Sequence, residues 1–180
     1  MKAIHLKTEY LKSPLGIDVA APRLFWNCEG GVTQTAYQII AEVDGAVVWD
    51  SGKVSSSQMT GITCPVEAAS RRRVTWKVQL WDENDCAGEW SETAFFEWGL
   101  LKPNHWQAKW ITGDYRVDKK RRYPVDCFRR RFSVPHEVKK ARLYITACGL
   151  YEARLDGEKI GNFCLAPGIT DYKKRVQYQT

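Results

Sequence analysis

The sequence contains no run of about 18 consecutive apolar residues, so nothing in it reads as a membrane-spanning helix. Its opening, MKAIHLKTEY, lacks the continuous apolar stretch of a secretory signal. No two cysteines have C-x-x-C spacing, and His5, His105 and His136 stand apart from one another and from the cysteines. That spacing gives no zinc motif. Six cysteines (Cys28, Cys64, Cys86, Cys127, Cys148, Cys164) are too sparse for a disulfide-built scaffold in 180 residues. The expectation is reduced thiols in a cytoplasmic protein, each cysteine acting as a small buried apolar residue. There is no internal repeat and no low-complexity segment. The first hundred residues also lack a convincing helical pattern.

What the sequence does have is alternation. In PRLFWNCE, Leu24, Trp26 and Cys28 fall on one face. In QTAYQIIAEV, Tyr37, Ile39, Ala41 and Val43 do the same, and Asp44-Gly45 then supplies a tight hairpin turn into AVVWDSGKV. RVTWKVQLWD points Val74, Trp76, Val78 and Leu80 one way and Thr75, Lys77, Gln79 and Trp81 the other. DENDCAG is a loop of turn formers, and GEWSETAFFEWGLL closes the region. With a first strand near Ile4–Tyr10 and a weak one near MTGITCPV, about seven short strands precede residue 101. That spacing predicts a two-sheet sandwich of the immunoglobulin or fibronectin type III kind, with Trp26, Tyr37 and Trp76 as its aromatic core.

LLKPNHW, Leu100 to Trp106, reads as a linker, dividing the chain into domains at 1–101 and 102–180. The second part is again all-β. Strands are expected at AKWIT, at CFRRRFSVP, over Ala141–Ala147 and at RVQYQT. The clearest local signal is GLYEARLDGEKIG, where Asp156-Gly157 turns a hairpin between alternating flanks. Only about 75 residues follow the linker, and the sequence stops within a strand pattern. The expectation is a sandwich missing its last strands, with an unpaired edge and an apolar face prone to homodimerisation or aggregation.

Charge is uneven. Residues 1–100 carry 9 Lys and Arg against 13 Asp and Glu, a net −4; residues 101–180 carry 18 against 8, a net +10. The split fits two domains with different surfaces. Basic runs at Arg71–Arg73, Lys119–Arg122, Arg129–Arg131 and Lys173–Arg175 raise nucleic-acid binding. Neither a recognition helix nor the aromatic signature of an RNA-binding sheet accompanies them, so the expectation is no nucleic-acid partner.

Eight segments, in order, resemble the N-terminal part of bacterial α-L-rhamnosidases of glycoside hydrolase family 78. They are LGIDVAAPRLFW, QTAYQI, WDSGKVSSSQ, VTWKVQLWDENDCAGEWSETAFFEWGLL, HWQAKWIT, FRRRFSV, ARLYITACGLYEARLDGEKIG and LAPGITDYKKRVQYQT. The resemblance covers nearly the whole chain. It implies a fibronectin-III-like domain followed by the start of a jelly-roll-type sandwich related to carbohydrate-binding modules. It implies too that an (α/α)6 barrel further along such enzymes hydrolyses terminal α-L-rhamnosyl bonds with inversion. Asp156 departs from the pattern, which more often has Asn there; either residue suits the turn. The resemblance implies further that the acid and base such an inverting glycosidase needs lie in that barrel. No catalytic residue is therefore assigned, and the 180 residues alone are expected not to cleave rhamnosides.

Within this frame the tryptophans are weighed first as core and bracing residues. Trp49 and Trp90 fall in the WDSG and EWSE turns. Trp106 and Trp110 flank the linker and are the candidates for a domain interface. Glu152, Asp156 and Asp171 could offer oxygen ligands to sugar hydroxyls or to calcium, the one ion in question. Asp156 is needed by its turn, so a rhamnose site would centre on Asp171, Tyr172 and Arg175. Three classes of function stay open: accessory region of a rhamnosidase, stand-alone carbohydrate-binding module, and fibronectin-type interaction module.

Overall fold

The computed structural model describes residues 1–118 and 120–180. Strands β1 (Lys2–Thr8), β2 (Arg23–Glu29) and β6 (Thr60–Thr63) form one antiparallel sheet. Strands β3 (Ala36–Val43), β4 (Ala46–Asp50), β7 (Arg73–Trp81) and β8 (Ala94–Glu97) form the other in the order β4-β3-β7-β8, with β5 (Val54–Ser55) paired to the start of β3. The two-residue β5 is the strand the sequence reading did not separate from its neighbours.

The period of two decides which side chains meet between the sheets. Leu24 and Trp26 from one sheet face Ile39, Ala41, Val74, Trp76, Val78 and Leu80 from the other, all essentially excluded from solvent. Phe96 and Trp98 extend this core at its β8 edge, ring against ring edge-on at 5.0 Å. The indole N–H of Trp26 donates to Gln34 Oε1, and the Gln34 amide donates to the carbonyls of Ser56 and Gln58. The buried amide is thus satisfied on both ends. Asp44 and Gly45 have φ of 50° and 83° and close the β3–β4 hairpin with Val43 opposite Ala46.

After the sandwich, Pro103–His105 make one 3₁₀ turn. The second region differs from the expectation of continued strands. Among its described residues only the hairpin β9 (Arg154–Leu155) and β10 (Glu158–Lys159) and the bridges Ile145–Gln179 and Tyr151–Ala166 pair. At AKWIT, CFRRRFSVP, Ala141–Ala147 and RVQYQT no strand forms; the last two pair only in the single bridge Ile145–Gln179. The alternation is present in sequence, but a ladder needs a neighbour on its edge and a layer on its face. Here Trp110, Phe128 and Phe132 remain 65%, 55% and 68% exposed. The expectation that the cysteines are buried is corrected likewise. All six are free, Cys64 is buried and Cys28 half-buried, while Cys86, Cys127, Cys148 and Cys164 are exposed. Burial pushes the Cys64 thiol up to about 11.

Candidate interdomain joint

Alternation along β8 sends Phe96 into the core and leaves Glu97 on the opposite face, where a carboxylate would ordinarily be solvated. Glu97 is nevertheless fully buried. The second region covers it. Arg142 donates to both carboxylate oxygens, from Nε to Oε1 at 2.7 Å and from Nη2 to Oε2 at 3.0 Å. Lys140 Nζ lies 3.2 Å from Oε2, and Arg73, the cross-strand partner of Glu97, donates to the same oxygen from Nε at 3.2 Å. Burial alone would raise this carboxyl's pKa. The hydrogen bonds and charges of Arg142 and Lys140 outweigh it and hold the group below the usual glutamate range.

A second anchor lies three residues on. The backbone N–H of Leu100 donates to the Tyr178 hydroxyl at 2.8 Å, and Trp106 meets the Tyr178 ring edge-on at 5.2 Å. The hydroxyl fits because residue 99 is glycine: a Cβ there would stand 1.9 Å from Tyr178 Oη. Gly16 leaves room for Thr180 in the same way. Arg71 lies over the Tyr144 ring at 5.8 Å, and the Ser70 hydroxyl, 2.5 Å from His105 Nδ1, accepts from the N–H of Leu101. The first and second regions are thus joined by a bidentate ion pair, a seated tyrosine and the Arg71 guanidinium over the Tyr144 ring.

Gly99→Ala is expected to expel Tyr178 at a cost of about 1–3 kcal/mol to docking, while the sandwich keeps its fold. A change in the Tyr178 ring signals with unchanged Trp26 and Trp76 indole signals would be the readout; unchanged Tyr178 signals would refute it.

Of the residues singled out from the sequence, Trp106 lies in this joint, whereas Trp110 is exposed and does not enter it. Asp171 heads a turn: its carbonyl accepts from the N–H groups of Lys174 and Arg175, and its carboxylate accepts from Lys173 N–H at 3.2 Å and faces Lys174 Nζ at 3.7 Å. Tyr172 is half-buried and Arg175 exposed. The Thr170 hydroxyl donates to the Arg175 carbonyl. Among the described residues no group of three or more His, Cys, Asp or Glu side chains could hold a metal ion. Glu97, Gly99 and Tyr178 were not foreseen. The signal that pointed towards Glu97 was the opposite charge of the two halves; none pointed to Gly99 or Tyr178.

The family model described as "Rha78A-like, N-terminal immunoglobulin domain" matches residues 3–102. The chain belongs to this family. A second model, "Alpha-L-rhamnosidase N-terminal domain", matches residues 136–180. An alpha-L-rhamnosidase of Formosa agariphila is 35% identical over 98% of this chain, and one of an Alteromonas species is 36% identical over 93%. The chain spans about a fifth of the length of these relatives, 21% and 20%. Among solved structures, an alpha-L-rhamnosidase from Dictyoglumus thermophilum superposes with a TM-score of 0.81 at 35% identity, covering 98% of this chain and 22% of that one. One from Aspergillus terreus gives 0.82 at 29% identity, covering 99% and 21%. Both superpositions take in the irregular region after Leu101 as well as the sandwich. The all-β architecture of this Rha78A-like chain is therefore the architecture of the corresponding portion of those proteins.

Proposed function

We propose that the chain is the non-catalytic N-terminal portion of an α-L-rhamnosidase, in which residues 1–101 form an immunoglobulin-like sandwich and residues 102–180 begin a second sandwich. Its work is to position that second domain, and through it the (α/α)6 barrel that hydrolyses terminal α-L-rhamnosyl bonds. The observation that carries this reading is the buried joint at Glu97 and Tyr178. A linker that merely tethered two domains would not bury a carboxylate under three cations. The purified 180-residue chain is expected to release no 4-nitrophenol from 4-nitrophenyl α-L-rhamnopyranoside above the uncatalysed rate; measurable turnover would overturn the reading.

The uncovered Phe128 and Phe132 support self-association of the isolated chain. Light scattering is expected to give a mass above 20.7 kDa that rises with concentration; a monodisperse monomer throughout would end that proposal. Six free cysteines support a reducing, cytoplasmic setting. Recovery of the mature protein from outside the cell would oppose it.

A further inference from the structure

Beside the joint, both regions contribute to an open groove of about 390 Å³. Trp106 and Tyr178 supply half-buried aromatic surface, Leu100 and Leu101 apolar surface, and the exposed Asp18 and Lys102 the polar edge. We propose that this groove binds a neutral pyranose, with a 6-deoxyhexose such as L-rhamnose the preferred ligand.

The chemistry runs as follows. The C–H face of a pyranose packs on an aromatic ring, and the two rings here stand at 86°, so one can carry the sugar while the other buttresses it. Tyr178 is held in place by the Leu100 N–H, so the platform is ordered before a ligand arrives. Among the described residues the side chains of Asp18 and Lys102 have no hydrogen-bond or ion-pair partner, which leaves an acceptor and a donor for vicinal hydroxyls. Their charges cancel, which favours a neutral sugar over a uronic acid or an amino sugar. A methyl group at C6 suits the leucines, where a hydroxymethyl would be left without a partner. The groove volume falls within the usual range for small-molecule sites, roughly 300–1,000 Å³. The alternative cluster at Asp171 has its carboxylate engaged by its own turn. The choice of a deoxy sugar rests on the rhamnosidase reading; the groove itself does not.

The test is a ¹H–¹⁵N NMR titration of the 180-residue chain with L-rhamnose and, separately, L-mannose, which differs by a hydroxyl at C6. A single indole signal, assigned to Trp106 by its absence in Trp106→Phe, is expected to shift saturably. L-rhamnose should bind roughly fivefold tighter or more than L-mannose, the cost of leaving the C6 hydroxyl without a partner. Trp106→Ala should weaken binding more than tenfold. Asp18→Asn, at an exposed position where folding is not at stake, should weaken it roughly threefold to tenfold. No saturable shift with either sugar would overturn the proposal, as would binding untouched by both substitutions or lost in Asp171→Ala instead. Equal affinity for the two sugars would overturn the deoxy preference. None of these results bears on hydrolysis by a longer gene product, so failure of the groove and failure of the rhamnosidase reading are separable.

Discussion

Replacing Trp98 by alanine is expected to destabilise the sandwich by about 3–5 kcal/mol, the cost of emptying a buried aromatic site. Trp98 is wholly buried, packs edge-on against Phe96 and donates its indole N–H to the Val19 carbonyl at 2.9 Å. Its backbone N–H donates to Arg72 and its strand position bridges Ile17, so it ties the β8 edge to the chain before β2. The alanine variant loses the ring, the cross-ring contact and the partner of the Val19 carbonyl together. A domain of about 100 residues has roughly 5–15 kcal/mol in hand, and each kcal/mol shifts its melting temperature by about 4–8 °C. A fall on the order of 15 °C or more in thermal denaturation is the expected result. Trp98→Phe keeps most of the apolar area and loses the hydrogen bond, so it should fall by less than half as much. Similar melting for wild type and alanine variant would mean the β8 edge is not part of the cooperative core.

The second large effect is at Glu97. Glu97→Gln leaves one acceptor where two served, and turns an amide N–H₂ towards Arg73, Lys140 or Arg142. The three cations are 24% to 51% exposed and can regain water, so the full penalty of a stranded buried charge does not apply. Loss of the charge-assisted hydrogen bonds should still weaken docking by about 2–3 kcal/mol, roughly 30-fold to 150-fold in the docking equilibrium. Hydrogen exchange at Ile145 and Gln179, which bridge each other in the second region, should accelerate by that factor, while exchange within β3 and β7 stays unchanged. Equal protection in the variant would show that Glu97 is not the pin.

Acid should reproduce this in the unmodified chain. The Glu97 pKa is depressed on folding, so its contribution is fully present above the unfolded value of about 4.3 and is lost as pH falls through the folded value. Docking is thus expected to hold at neutral pH and to loosen in acid below the ordinary glutamate range. Glu97→Gln should remove that part of the pH dependence.

What could be read from the sequence was local. Val74, Trp76, Val78 and Leu80 alternate over nine consecutive strand residues, and the structure buries all four. Asp44-Gly45 and Asp156-Gly157 specify their turns because both positions need positive φ, and both pairs adopt it. What could not be read was non-local. Leu143 and Phe128 sit in patterns as regular as that of β7, but a pattern does not supply the neighbouring strand, and among the described residues of those two segments only Ile145 finds a bridge partner, Gln179. Nothing in the sequence singles out Glu97 between Phe96 and Trp98, because alternation says which face a residue takes and not what covers that face. The contrast between a −4 half and a +10 half held the missing information, with Arg142 and Lys140 as its point of contact. Gly99 gave no local sign, since its role is fixed by a tyrosine 79 positions later.

The most direct test of the central claim is to read the open reading frame past the codon for Thr180 and assay its product on 4-nitrophenyl α-L-rhamnopyranoside. The account predicts several hundred further residues with helical periodicity and paired acidic side chains, and a product that hydrolyses the rhamnoside with inversion. A stop codon directly after Thr180, or a long product without rhamnosidase activity, would contradict it.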